Sequence, residues 1–498
     1  MGVIRKQTIQ GTLYTYLGAG LGVFTNLILL AWFFTPEQIG LLNVIVAYSL
    51  LFAQFANLGF DNVTIRLFPY FRNPKSHHHG FFMIMLKVLS VGVVVSIFVF
   101  WLLFPWLSKN ESGNSLFFDL GFLVIPLIVF TLFFNSLDTY SRVLYKSVRG
   151  TFLKEVLQRL FIIISIGLYL LFHFSFNLFT YLYVLSLSVP TLILFYLLYR
   201  EKAISLKVER GFVFPKLKKE MWSVSLFGVI TVFSSTIVAN IDKIMIQQYL
   251  DLTQTGIYSI AFFFGVIITM PSRALSKISS TVVAESWKNN DIKTIETIYY
   301  KSCINQLVFS LLLFIGIWAN INNLLHLLPE KYVDIQWVVF WICLGSFIDM
   351  ATGINNTIIG TSPYYKAQSF FMLIFVVIIV LSNAIFIPFW GITGAAFASA
   401  LSLFLFNFIR WLFLFIKYKM QPFDFKFLLT IFIGLAAYFI SLLIPKMVPF
   451  YLDILIRSFV ILSIYSFLVY VFNVSEDINN RVNVYLQWFK HFVGGFRK

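Results

Sequence analysis

Apolar runs of about twenty residues, separated by short polar connectors, fill the chain from end to end. They fall at about 11–34, 39–60, 81–104, 116–138, 157–176, 178–199, 221–246, 254–275, 303–327, 333–357, 366–388, 391–416, 427–445 and 450–472. Each is long enough to cross ~30 Å of hydrocarbon as a helix at ~1.5 Å per residue. The pattern predicts an all-α polytopic membrane protein of about fourteen transmembrane helices. The splits near 172–178 and 388–391 rest on very short turns.

Polar positions within these runs keep helical spacing. Gly11, Thr15, Gly18, Gly22 and Asn26 mark one small, polar stripe on the first helix, where Gly18 and Gly22 suit close helix packing. Asn43, Ala47, Gln54, Asn57 and Asp61 share a face of the second, which must point to protein or to a wet cavity rather than to lipid. Gly345, Asp349, Thr352 and Asn356 repeat the idea on the tenth. The most unusual stretch is 221–277, two spans carrying Asn240, Asp242, Lys243, Pro271 and Arg273. A charge inside a bilayer span costs about 2.5–3.5 kcal/mol or more, which makes each one a functional candidate. Lys243 could snorkel, but the short carboxylate of Asp242 cannot reach water from one turn inside. Asp242 and Arg273 would lie ~20 Å or more apart along the membrane normal, near opposite ends of a polar path. Asp138 and Arg142, four residues apart on the fourth helix, have the spacing of an ion pair that need be no more than structural, and Lys87 and Arg457 are close enough to span ends to snorkel.

Composition agrees with the pattern. Of 498 residues 59% are hydrophobic and only 12% charged, and mean hydropathy is +0.86, far from a soluble domain with ~25% charge. The net charge of +16 would suggest nucleic acid in a soluble chain; here it reflects basic loops facing an anionic leaflet. With the N-terminus cytoplasmic, thirty-one of the 37 basic residues fall on the inner side. The expected topology has both termini in the cytoplasm, the first span directing insertion without a cleaved leader. The basic connector 200–220, with Pro215, divides helices one to six (1–199) from helices seven to twelve (221–416). Helices thirteen and fourteen (427–472) and a cytoplasmic tail (473–498) follow. A weak internal repeat supports two six-helix lobes: Glu37-Gln38-Ile39-Gly40-Leu41 and Thr253-Gln254-Thr255-Gly256-Ile257 link equivalent helix pairs. The tail, with Val482, Val484, Leu486, Trp488, Phe489 and Phe492, is expected to lie along the membrane surface.

No catalytic constellation emerges. The chain has no phosphate-binding loop, nucleophile elbow, zinc spacing or dinucleotide fingerprint. Cys303 and Cys343 sit in apolar helices as packing residues, and His77-His78-His79 lacks partner ligands. Neither an enzyme nor a cofactor or metal is indicated.

Three motifs resemble one family. Phe34-Thr35-Pro36-Glu37-Gln38-Ile39-Gly40-Leu41 is similar to the turn between the first helices of bacterial polysaccharide flippases. Asn240-Ile241-Asp242-Lys243 with Gly256-Ile257-Tyr258 resembles their seventh-to-eighth helix segment. Trp390-Gly391-Ile392-Thr393-Gly394-Ala395-Ala396-Phe397-Ala398 resembles the start of their twelfth helix. The family is the O-antigen and capsule flippase branch of the multidrug/oligosaccharidyl-lipid/polysaccharide exporter superfamily. The resemblance implies a MATE-like fold of two lobes alternating between inward-open and outward-open states in the bacterial inner membrane. Its implied cargo is an undecaprenyl-pyrophosphate-linked oligosaccharide, moved to the periplasmic leaflet for polysaccharide biosynthesis. Partners would be that lipid, bulk membrane lipids, H+ or Na+ as coupling ion, and polymerase or glycosyltransferase machinery.

For such a cargo, Arg66, Arg142 and Arg273 suit pyrophosphate, because a guanidinium offers forked donors. The resemblance adds Lys243. Gln54, Asn57 and Asn356 suit sugar hydroxyls, and Asp61, Asp242 and Asp349 are candidate ion-coupling groups. Two alternatives stay open beside this reading: a cation-coupled multidrug antiporter of the same superfamily, and a non-transporting scaffold for glycan synthesis. A membrane-bound glycosyltransferase would need a large outer loop with an acidic cluster, and the outer loops are short.

Overall fold

The structure is a computed structural model that describes residues 2–108, 116–206 and 212–495. Among the described residues there are helices and connectors but no strand. Among the described residues thirteen helices are long and apolar enough to cross a membrane. In chain order they are Gln10–Phe33, Pro36–Ala56, Pro74–Leu107, Leu116–Val143, Ser147–Phe172, Phe176–Arg200 and Pro215–Tyr249. Leu252–Ser272, Ile292–Ala319, Glu330–Ala351, Lys366–Tyr418, Phe425–Leu442 and Phe450–Val471 complete the set. The eleventh has 53 residues, about 80 Å of helix, more than twice the hydrocarbon thickness. Gly391 interrupts it with φ 57° and ψ −138°, a conformation that only glycine adopts readily. The chain doubles back there so tightly that a Cβ on Gly394 would strike the Phe386 carbonyl. The interruption leaves two stretches, 366–390 and 392–418, each long enough for a crossing.

Three boundaries differ from expectation. The second run stops at Ala56, because Asn57, Leu58 and Gly59 form a break with Gly59 at φ 72°, before a separate helix Phe60–Phe71. The fifth span begins at Ser147 rather than 157, which draws Lys154 and Glu155 into a helix. The helix holding the eighth span continues to Lys288. In each case local polarity, the sequence signal, gives way to hydrogen bonds and packing that the pattern does not encode.

Helix starts follow local chemistry. Thr35-Pro36-Glu37-Gln38 is a complete capping box: the Gln38 amide donates to Thr35 Oγ1 at 3.2 Å and the Thr35 amide donates to Gln38 Oε1 at 3.0 Å. Asp251, Asp291 and Asp424 accept from the amides of Gln254, Thr294 and Phe427 at 2.7, 3.0 and 3.0 Å.

The chain forms two compact units, residues 1–260 with 372–395, and residues 261–371 with 396–498. In the first, one core gathers Phe60, Phe68, Phe71, Phe81 and Tyr140, and a second gathers Tyr48, Phe52, Phe100 and Phe117. The two turns of the internal repeat meet in this unit. A Cβ on Gly40 would strike the Leu252 carbonyl, and one on Gly256 would strike the Pro36 carbonyl. The paired glycines thus let two helix starts touch backbone to backbone. In the second unit, Leu307, Leu311, Ile433, Ala437, Ile461 and Tyr465 form a core, with the Tyr465 hydroxyl donating to the Val308 carbonyl at 3.0 Å.

Just outside the sixth span, Glu201 accepts from both terminal nitrogens of Arg149, at 2.5 and 2.8 Å, and from Lys146 at 2.5 Å. These bonds, Arg149's first, hold its carboxyl at about 2 against an ordinary 4.5. A depressed carboxyl contributes stability above its unfolded value, and that contribution fades as pH falls through the folded one. Thermal unfolding of the purified protein is therefore expected to lose stability between pH 4.5 and about 2. Glu201→Gln should remove that component, and an identical pH profile in the variant would contradict the assignment.

Candidate functional site

Three clusters in the first unit bring candidate groups together. Asp242 is 7% exposed and held by two neutral donors, the Tyr258 hydroxyl to Oδ2 and Asn383 Nδ2 to Oδ1, both at 2.7 Å. The Asn383 side-chain oxygen, Oδ1, is buried without a partner among the described residues. Lys243 does not run to the membrane surface; its ammonium donates to Asn43 Oδ1 on the second span at 2.9 Å. One turn further on, the Tyr48 hydroxyl donates to Gln247 Oε1 at 2.9 Å and Gln248 donates to the Leu107 carbonyl at 2.8 Å. Helices two, three and seven are thereby tied by polar groups in an apolar setting, where a satisfied hydrogen bond is strongest.

The second place is the break after Ala56. Asn57 donates to Ser136 Oγ at 3.1 Å and accepts from the Asp61 amide at 3.2 Å, which satisfies the backbone at the break. Gln54 is buried with Nε2 unpartnered among the described residues, and so is Asp61 Oδ1. Asp138 pairs with Arg142 at 3.2 Å, its other oxygen sitting where Gly150 leaves no Cβ. Arg66 is exposed.

The third is a cavity of ≈ 320 Å³ among the first six spans. Asn26, Asn135, Lys154, Glu155, Gln158, Arg159 and Tyr183 supply its polar lining. The sequence offered a signal here, the charged pair Glu155 and Arg159 four residues apart. The apolar run starts only at 157, which left Lys154 and Glu155 in the connector before it. Asn383 and Tyr258 were equally hidden, because an amide or a phenol in an apolar run declares no partner.

In the second unit Arg410 is only 6% exposed. It donates to Asn355 Oδ1 at 3.3 Å and to Asn356 Oδ1 at 3.2 Å, and lies 3.6 Å from the Phe406 ring centre. Asn407 continues the network, donating to Asp349 at 2.9 Å and accepting from Thr352 at 2.9 Å. Gln368 donates to Asn356. The structure therefore joins two sequence candidates, Asp349 and Asn356, through Asn407 and Arg410. An apolar cavity of ≈ 300 Å³ lined by Phe404, Phe408, Trp411 and Phe427 adjoins Asn407. The Arg273 side chain lies outside the described residues; its backbone belongs to helix Leu252–Lys288. Arg457, expected to snorkel, is instead buried against Asp453 at 2.9 Å.

The long apolar helices of the described residues, with their buried polar groups, define a multi-pass membrane protein. Residues 4–284, more than half the chain, match the family model described as "Polysaccharide biosynthesis protein", and the chain belongs to that family. The fold is similar to that of lipid II flippase MurJ in an inward closed conformation, with TM-score 0.74, 15% identity, 93% of this chain and 98% of that one covered. It is similar also to an inward-facing multidrug resistance MATE family transporter of the MOP superfamily, with TM-score 0.59, 13% identity, 81% and 93% covered. A Vibrio cholerae MATE transporter aligns with TM-score 0.56, 10% identity, 84% and 97% covered. No curated protein matches the sequence.

Proposed function

We propose that this protein is a flippase that carries undecaprenyl-pyrophosphate-linked oligosaccharide units from the cytoplasmic to the periplasmic leaflet of the inner membrane by alternating access. The observation that carries the reading is the set of cationic and amide side chains inside an apolar helical bundle, in a chain of the polysaccharide biosynthesis family. A pyrophosphate with sugars cannot cross hydrocarbon unaided, and such groups replace the water it must leave. Likeness to a lipid II flippase over nearly the whole chain supports this class of cargo. In this reading Arg66, Arg142, Arg273 and Lys243 serve the pyrophosphate, and Gln54, Asn57 and Asn356 serve sugar hydroxyls. Asp242, Asp61 and Asp349 respond to H+ or Na+. The product feeds O-antigen or capsule assembly.

The test is made in a strain lacking the gene, with an impermeant sugar-modifying reagent applied to intact spheroplasts. Repeat-unit lipid should accumulate and stay protected, and plasmid-borne wild type should restore its labelling. Normal labelling together with new sensitivity to cationic dyes would instead establish a drug exporter. Asp242→Asn keeps the shape of the buried group and removes its charge. It should express normally yet lower labelling about tenfold, the effect of roughly 1.4 kcal/mol. Full labelling would exclude Asp242 from the transport cycle.

A further inference from the structure

The cavity among the first six spans is built with unusual care for its charges. Two of the helices that line it wind as π-helix where they do so, Phe24–Leu30 around Asn26 and Leu153–Leu157 around Lys154 and Glu155. Single-turn π segments are rare and concentrate at functional sites. The glycine stripe of the first span faces this segment. A Cβ on Gly18 would lie 2.7 Å from Glu155 Cβ, and one on Gly22 would overlap the Arg159 guanidinium. Glycine at both positions leaves the volume that these two charged side chains occupy.

The lining has an unbalanced charge. Arg159 Nη2 pairs with Glu155 at 3.3 Å, while Arg159 Nε is buried without a partner among the described residues. Lys154 sits 5.8 Å from the Phe134 ring centre and has no carboxylate within 4.0 Å among the described residues. One positive charge is thus left over. Asn135 and Tyr183 make no side-chain hydrogen bond among the described residues, and Gln158 reaches the Leu187 carbonyl only at 3.5 Å. A volume of ≈ 320 Å³ falls at the lower end of the ~300–1,000 Å³ typical of small-molecule sites. That is room for one ring and little more.

From this we infer that the cavity is a binding site for a monoanionic sugar ring, the carboxylated hexose class. Lys154 and the unused edge of Arg159 meet the carboxylate, and Asn135, Gln158 and Tyr183 meet hydroxyls. A single surplus cation matches a carboxylate and is too little for a pyrophosphate. The physiological source, an acidic residue of the carried oligosaccharide, rests on the flippase reading; the binding itself does not.

The experiment is calorimetric titration of the full-length protein in lipid nanodiscs with sodium glucuronate, glucose and inorganic phosphate. Glucuronate should bind about tenfold more tightly than glucose or phosphate. Lys154→Gln should weaken glucuronate about tenfold, Lys154→Arg should keep it within about threefold, and Lys293→Gln, an exposed charge elsewhere, should change nothing. Equal binding of glucose makes this a neutral-sugar site, tighter phosphate makes it an inorganic anion site, and an unchanged Lys154→Gln places the ligand elsewhere; each overturns the proposal. Should Lys154→Gln fail to fold, the three-ligand comparison on wild type decides. Glucuronate binding alongside normal glycan-lipid labelling in the deletion strain would retain the site and remove the flippase reading.

Discussion

Gly40→Ala and Gly256→Ala are each expected to destabilise the folded protein by about 3 kcal/mol, the upper part of the range for overpacking. At most tight contacts a flexible side chain can swing away. Here the obstacle to a Gly40 methyl is the Leu252 carbonyl and the Gly256 amide, and the obstacle to a Gly256 methyl is the Pro36 carbonyl and the Gly40 amide. Backbone within the capped starts of two helices cannot move without breaking the caps that Thr35 and Asp251 provide. Thermal unfolding in detergent should show losses of several degrees. Gly20→Ala and Gly167→Ala, where a new Cβ meets nothing within 4 Å, should stay within about 0.5 kcal/mol of wild type. Equal stability of all four variants would mean that the two turns are not in contact. The double variant should cost less than the sum of the singles, because separating the two turns once relieves both clashes.

The second large effect is at the last span. Asp453 and Arg457 are 3% and 5% exposed and paired at 2.9 Å. Arg457 also donates to the Ser441 and Ile444 carbonyls at 2.6 and 3.3 Å, and Asp453 accepts from Asn323. The guanidinium therefore adds donors to carbonyls at the end of Phe425–Leu442, the Ser441 carbonyl also accepting from the Ile444 amide at 3.3 Å. Removing one partner of a buried pair leaves the other charge uncompensated, at a cost of about 3–5 kcal/mol. Asp453→Asn and Arg457→Met are each expected to lose that much, measured by unfolding in mild detergent. Combining them should recover part of the loss, since no lone charge remains. Additive losses would show that the two side chains act separately, through Asn323 on one side and the carbonyls on the other.

Much of the architecture was legible in the sequence because its cause is short-ranged. Twenty apolar residues cross a bilayer whatever their neighbours, and Thr35-Pro36-Glu37-Gln38 caps a helix through its own atoms. The paired repeat turns were legible as similar strings, but not as touching ones. Partners over long separations were not legible: Asn43 with Lys243, Tyr48 with Gln247 and Asn383 with Asp242 are chosen by packing. Charge counting was silent on the partners of Arg410 and Arg159 for a related reason. It treats every arginine near a span end as bound for water, whereas three asparagines, or a glutamate beside a glycine stripe, provide an alternative.

The π-helical turn at Leu153–Leu157 has one more consequence. Such a turn holds a residue that the α-helical ladder would not, so the span carries a stored frameshift. Deleting one residue there would let the turn rewind as α-helix with both flanks keeping their facing, because the wide turn already absorbs the ~100° that one extra residue adds to an α-helix. The cavity wall would lose one side chain while the rest of the span kept its neighbours. Homologues that differ by a single deletion in this turn can keep the fold and shorten the lining of the cavity by one residue.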